Sequence, residues 1–110
     1  MNIQHKNLAM GRWGEMSYCQ QLANIGSEVS RALTWQQKNN IDFSKKAVFR
    51  ALELLDLSLD SVKGFASIRE FSRLREAIVD YFLGTNEFLS SEILWRKYFD
   101  HFNYLARKNS

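Results

Sequence analysis

Large apolar residues recur at three- and four-residue intervals along most of the chain, and this spacing predicts α-helices. Residues 69–84 show it most clearly, and their predicted buried face consists of Phe71, Leu74, Ile78, Tyr81 and Phe82. Gly84 follows this run and is predicted to end the helix. No stretch of the sequence has the alternating pattern of a β-strand, so helix is the predicted regular element throughout.

The same spacing predicts four helices that are separated by short polar turns. The first extends from about Trp13 to Gln37, and the second from Phe43 to about Leu59. The third extends from about Ala66 to Leu83, and the fourth begins after a cap at Ser90 or Ser91. Because short connections favour antiparallel neighbours, the expected fold is all-α, an antiparallel up-down four-helix bundle.

A chain of 110 residues fits one helical-bundle domain, which we expect to span residues 1–110. Residues 1–12 have little periodicity and are predicted to form a mobile arm. Asp42 or Ser44 is the expected N-cap of the second helix. Gly26 lies on the apolar face of the first helix, where a glycine costs about 1 kcal/mol relative to alanine. We therefore expect another helix to approach closely there.

The composition indicates a folded protein with more aromatic residues than usual. Apolar residues make up 45% of the chain and charged residues 25%, which excludes a disordered protein. The aromatic share of 14% requires either a well-filled core or a partner surface. On the fourth helix, Trp95, Phe99, Phe102 and Ala106 are predicted to face inward, and Tyr98, Tyr104 and Leu105 widen that face. The wide surface of Trp95, Tyr98, Phe99 and Phe102, with Tyr104 and Leu105, is the predicted contact for a second copy or a partner.

Few catalytic or cofactor sites are compatible with the residue types present. The glycines are isolated and cannot form a phosphate-binding loop, and His5, His101 and Cys19 lack the spacing of a zinc site. We therefore expect no cofactor and no metal. The lone cysteine fits a reducing compartment, and the sequence has no apolar leader or membrane-spanning run. The predicted location is cytoplasmic, without membrane contact.

Opposed charges run beside the apolar face of each of the first three helices, at helical spacing. Three arrangements of these residues are possible: an interhelical polar network, a pocket in which arginines bind phosphate or carboxylate, or solvated outer faces. The residues concerned are Glu28, Arg31, Arg50, Glu53, Asp56, Arg73, Arg75, Glu76 and Asp80.

The succession of helices resembles the HEPN superfamily, small four-helix proteins of bacteria and archaea, and small bacterial four-helix proteins near it. The similarity covers a long first helix, an Ala-rich second helix (AVFRALELLD), an Arg-rich third (RLREAIVDYF) and an aromatic fourth. The run RKYFDH matches the Arg and His motif of HEPN ribonucleases through Arg96 and His101. The resemblance implies that these two residues, contributed by both subunits of a dimer, act on an RNA phosphate without a metal.

Two functions follow as hypotheses. The first is a non-enzymatic helical protein that binds another protein, either as a homodimer or as a module for a partner such as the nucleotidyltransferases that accompany many HEPN proteins. The alternative is a metal-independent endoribonuclease, a toxin or defence component that binds RNA and uses Arg96 and His101.

Overall fold

A computed structural model describes residues 11–108, and every regular element in that range is helical. The predicted all-α class is confirmed. No helix among the described residues is both long enough and apolar enough to cross a membrane. A short helical stretch at residues 11–15 comes first, and the four long helices that follow are α1 (Tyr18–Gln37), α2 (Ile41–Ser61), α3 (Phe65–Leu83) and α4 (Glu92–Lys108).

The predicted first helix is interrupted near its start, because a capping box begins a new helix there. The Ser17 hydroxyl accepts a hydrogen bond from the Gln20 backbone N–H at 3.1 Å, and the Gln20 side chain accepts one from the Ser17 N–H at 2.9 Å. The predicted start of one continuous helix at Trp13 is therefore wrong. Most of the predicted arm, residues 1–10, lies outside the described residues.

The second helix is capped by a residue other than the two predicted. The Asn40 side chain accepts a hydrogen bond from the Phe43 N–H at 3.0 Å, so α2 begins at Ile41. Ser44 is buried instead, and its hydroxyl donates to the Ala32 carbonyl of α1 at 2.9 Å. The predicted caps at Asp42 and Ser44 are therefore wrong.

The later boundaries agree with the periodicity. Helix α3 ends at Leu83 with Gly84 as its C-cap. The Ser91 hydroxyl accepts a hydrogen bond from the Leu94 N–H at 3.3 Å, which confirms Ser91 rather than Ser90 as the cap of the fourth helix.

The two ends of α2 are tied to the opposite ends of α1. Ser44 in the first turn of α2 bonds Ala32 near the end of α1. Ser58 near the end of α2 donates to the Gln21 side chain, near the start of α1, at 2.8 Å. These two helices therefore lie side by side in opposite directions.

Helix α4 packs on another side of α1, again in the opposite direction. The Gln37 side chain, at the end of α1, donates to Glu92 in the first turn of α4 at 2.5 Å. The Tyr18 and Phe102 rings, at the other ends of these helices, have centroids 6.0 Å apart. Close backbone packing joins α1 to α2, α1 to α4 and α2 to α3, whereas α3 and α4 are separated by a groove.

The core lies between these helices and includes the predicted face of α3, since Phe71, Leu74 and Ile78 are all buried. A Cβ atom built at Gly26 would lie 2.6 Å from Cδ1 of Phe99 on α4. That distance confirms the predicted close approach of a second helix.

Most of the aromatic surface predicted on the fourth helix belongs to the core. Trp95 and Phe99 are buried and stack on each other, with ring centroids 6.1 Å apart. Tyr98 and Phe102 are partly buried and pack against the same core. The inward direction predicted for Trp95, Phe99 and Phe102 is confirmed, and because all four side chains pack against the core, they leave little of this face for a partner. Tyr104 alone among the predicted aromatic residues is largely exposed.

Candidate interaction site

Five large apolar side chains remain exposed where α3 connects to α4. Leu89 is 80% exposed and Ile93 is 68% exposed, although both are aliphatic residues that proteins usually bury. We call this set the α3–α4 surface, and it consists of Leu83, Phe88, Leu89, Ile93 and Leu94. Such a group of exposed apolar residues is typical of a surface that contacts another molecule.

The connection itself is organised by Asp80. Its carboxylate accepts hydrogen bonds from the backbone N–H groups of Glu87 at 2.7 Å and Phe88 at 3.0 Å. Its backbone carbonyl accepts two more, from the N–H groups of Gly84 at 3.2 Å and Asn86 at 3.0 Å. Asp80, predicted as part of a charged network between helices, therefore serves as the anchor of a loop.

A second clamp closes the loop on itself. The Asn86 amide donates to the Ser90 carbonyl at 3.0 Å and accepts from the Ser90 N–H at 2.9 Å. Within this clamp Leu89 has a φ of 55°, in the left-handed region that a branched residue rarely adopts. Such a conformation costs about 1–3 kcal/mol and persists only when the surrounding structure enforces it. The loop thus holds a strained leucine with its side chain in solvent.

A groove of about 320 Å³ lies between α3 and α4, directly beside this loop. Its lining is mostly apolar and includes charged and hydroxyl side chains. Ser90 and Leu94 line the groove and also lie at the connection between the two helices, so the groove adjoins the loop. The lining residues are Glu70, Arg73, Leu74, Ala77, Ser90, Leu94, Trp95 and Tyr98.

A hydrogen bond between the two helices crosses the groove lining. The Tyr98 hydroxyl donates to the Glu70 carboxylate at 2.5 Å. Burial, followed by this hydrogen bond, raises the pKa of Tyr98 well above its ordinary value. Burial and the nearby charge of Glu70 also raise the pKa of Tyr18 to about 12. Both hydroxyls therefore remain neutral at physiological pH, and the Tyr98 hydroxyl keeps the proton that it donates to Glu70.

The predicted charged residues of the first two helices form a pair between helices. Glu28 is only 8% exposed, and its carboxylate accepts from Arg31 on its own helix and from Nε of Arg50 on α2 at 2.5 Å. This geometry matches the interhelical network among the three arrangements considered. Both arginines are about half exposed, so the pair opens to solvent on one side.

The other predicted charged residues are distributed elsewhere. Asp56 and Arg75 form a partly exposed pair between α2 and α3 at 2.9 Å. Arg73 lies at the groove, Glu76 is exposed, and Glu53 is partly buried on α2. With Asp80 at the loop, the structure does not bring the predicted residues together into one pocket.

Arg96 and His101 face different surroundings. Arg96 donates to Glu92 on its own helix at 2.9 Å and to the Ser30 hydroxyl of α1 at 3.0 Å. His101 is exposed, and its ring meets that of Phe102 with centroids 5.2 Å apart. Five residues along a helix turn the side-chain direction by about 140°, so the two residues lie on different faces of α4. Within one chain the structure does not bring them together.

Helical periodicity does not predict the α3–α4 surface, because Phe88 and Leu89 lie in the connection between two helices. A signal was present, since Phe88, Leu89, Ile93 and Leu94 crowd the connection FLSSEIL, where polar turn residues are the rule.

No protein-family model matches the chain, and neither a curated protein sequence nor a solved structure matches it significantly. Among residues 11–108, no three His, Cys, Asp or Glu side chains are grouped so as to hold a metal ion. The HEPN resemblance accordingly stays a prediction.

Proposed function

We propose that the protein acts by protein–protein interaction, as a homodimer that associates through the α3–α4 surface. The observation that supports this most strongly is Leu89, which is strained and 80% exposed, in a loop whose backbone N–H groups donate to the Asp80 and Asn86 side chains. A loop that only connected two helices would have no need of a leucine in this conformation. A partner that covers the side chain would offset the strain.

The apolar area available is similar to what a stable dimer needs. A large apolar side chain has an area on the order of 150–200 Å². With exposed fractions from 39% for Leu83 to 80% for Leu89, the five residues present roughly 500 Å² per chain. A standard interface buries about 800 Å² per partner, of which about 60% is apolar. The α3–α4 surface could therefore supply the apolar part of one such interface.

We further propose that the four long helices form an antiparallel up-down bundle that is open along the α3–α4 side. The hydrogen bonds that link opposite ends of α1 and α2, and the contacts that link opposite ends of α1 and α4, support this arrangement. The short turn between α2 and α3 supports it as well. In such a bundle the groove is the side at which a second molecule can complete the packing.

Sedimentation equilibrium tests the proposal with matched variants. Wild-type protein is expected to be dimeric at micromolar concentration, and Leu89→Asp is expected to weaken the association at least ~10-fold, since it places a charge in an apolar contact. Phe49→Asp is the control, because Phe49 is also exposed, at 53%, but lies on α2 and is not part of the α3–α4 surface.

A wild-type monomer at high micromolar concentration would contradict the homodimer, as would equal weakening by Phe49→Asp. A monomer that binds a different protein through the same surface, such as the predicted nucleotidyltransferase, would leave the partner-binding module as the function. No observation favours the ribonuclease alternative, because the Arg96 guanidinium already donates hydrogen bonds to Glu92 and Ser30. It stays a prediction, and RNA left intact equally by wild type and His101→Ala would exclude it.

A further inference from the structure

The loop that carries Phe88 and Leu89 is complementary in size and charge to the groove between α3 and α4. We infer that the Phe88 and Leu89 side chains of one chain fill the groove of a second copy, with Glu87 of the loop pairing with Arg73 of that copy. The inference rests on the proposed homodimer and states which residues meet in it. A small apolar peptide segment of this chain is thus the ligand that the groove accepts.

The position of the two features suits a two-fold axis. In a two-fold dimer the same patch is used by both chains, so a protrusion beside a depression makes the patch self-complementary. The loop carries the protruding Leu89, and Ser90, the next residue, already lines the groove. Each chain can therefore place its loop in the groove of the other, with Ser90 and Leu94 near the axis.

The volume of the groove fits the two apolar residues of the loop. A cavity of about 150 Å³ accommodates a benzene molecule. The groove, at about 320 Å³, therefore has room for two side chains of about that size. Phe88 and Leu89 are 59% and 80% exposed and adjacent, and they match the apolar lining that Leu74, Ala77 and Leu94 provide.

The charges are complementary as well. Arg73 lines the groove and is exposed, and no ion pair to it forms among residues 11–108. Glu87 is exposed, and in the described part of the chain its carboxylate has no basic partner either. The loop thus offers an acid followed by two apolar residues, and the groove offers a base beside an apolar lining. A second copy satisfies both sets at once.

A charge exchange tests the pairing. Arg73→Glu and Glu87→Arg each create two like-charge contacts per dimer, and each is expected to weaken dimerisation at least ~10-fold at low salt. The double variant restores opposite charges and is expected to dimerise within ~3-fold of wild type. Sedimentation equilibrium measures all four proteins. If wild type is dimeric and the double variant is as weak as the single variants, this inference fails while the proposed homodimer stands.

Disulfide cross-linking provides a second measurement in a Cys19→Ser background, which removes the only native thiol. Leu89→Cys protein mixed with Ala77→Cys protein is expected to form covalent heterodimers under mild oxidation. Phe49→Cys mixed with Ala77→Cys is the control and should form few. Equal yields from both mixtures, with a dimeric wild type, would show that the loop does not enter the groove. A monomeric wild type would overturn the homodimer and this inference together.

Discussion

Replacing Gly26 by alanine is expected to destabilise the fold, although the substitution usually stabilises a helix. The added Cβ would lie 2.6 Å from Cδ1, 2.7 Å from Cγ and 2.9 Å from Cβ of Phe99. Rotation of the ring cannot relieve the contact with the Phe99 Cβ, so the α4 backbone itself must move. Buried overpacking costs about 1–3 kcal/mol, and here we expect the upper end of that range.

The helix propensity of alanine offsets about 1 kcal/mol of this cost. The net loss in the free energy of unfolding is therefore about 2 kcal/mol, which corresponds to roughly 10 °C in the melting temperature of a domain of this size. Urea unfolding monitored by circular dichroism measures it. All samples need the same protein concentration, because dimerisation would otherwise shift the midpoint.

Gly14→Ala is the matched control. Gly14 is helical, and a Cβ there would meet only the Ser61 Cβ, at 3.9 Å, an ordinary van der Waals contact. We expect this variant to gain up to about 1 kcal/mol. If Gly26→Ala proves as stable as wild type, while Gly14→Ala behaves as expected, the close packing of α1 on α4 is refuted.

Three further predictions concern polar contacts. The folded-state pKa of Tyr98 lies above its ordinary value of 10.0, so the free energy of unfolding should fall as the pH rises above about 10. Tyr98→Phe lacks this titrating group and should lose less of its free energy of unfolding over about pH 10–11.5, as measured by urea titration. Asp80→Ala removes the loop anchor and should weaken dimerisation in sedimentation experiments more than Glu76→Ala, a variant of an exposed acid on the same helix. Ser58→Ala leaves the buried Trp13 N–H and Gln21 side-chain oxygen unpaired and should lower the free energy of unfolding by about 1–3 kcal/mol, measured by urea titration.

Much of the fold is encoded locally and could be predicted from spacing alone. The buried face of Phe71, Leu74 and Ile78 follows from helical periodicity, and Gly26 marked a close helix contact because nothing else justifies a glycine on an apolar face. The cap of α2 was harder, because Asn40, Asp42 and Ser44 are all good N-cap residues within one turn. The hydrogen bond of Ser44 to α1, a tertiary contact, removes Ser44 from this set, and the Phe43 N–H then bonds Asn40.

The features that the prediction missed depend on residues far apart in the sequence. Trp13 donates to Ser58 at 2.9 Å across 45 positions, and Gln21 closes the network by donating to the Trp13 carbonyl at 2.8 Å. Periodicity contains no information about such a contact. The break that precedes α1 did have a local signal, the Ser17 and Gln20 capping box.

The candidate site was predicted only in part. Arg73, one of the predicted charged residues, lines the groove. Asp80 was predicted to pair with an arginine, but its carboxylate accepts a hydrogen bond from the loop backbone instead. Whether a carboxylate at the end of a helix meets an arginine or a backbone N–H depends on the path of the next loop. In this protein the path of the loop includes Leu89 in the left-handed conformation, which leucine rarely adopts.

The central claim is that chains associate through the α3–α4 surface, and methyl NMR on serial dilution tests it most directly. Between high and low micromolar concentration, the methyl resonances of Leu89, Ile93 and Leu94 should shift together, while that of Ile41, which is 63% exposed on α2, should stay constant. Resonances that do not change with concentration, or a change confined to Ile41, would contradict the account.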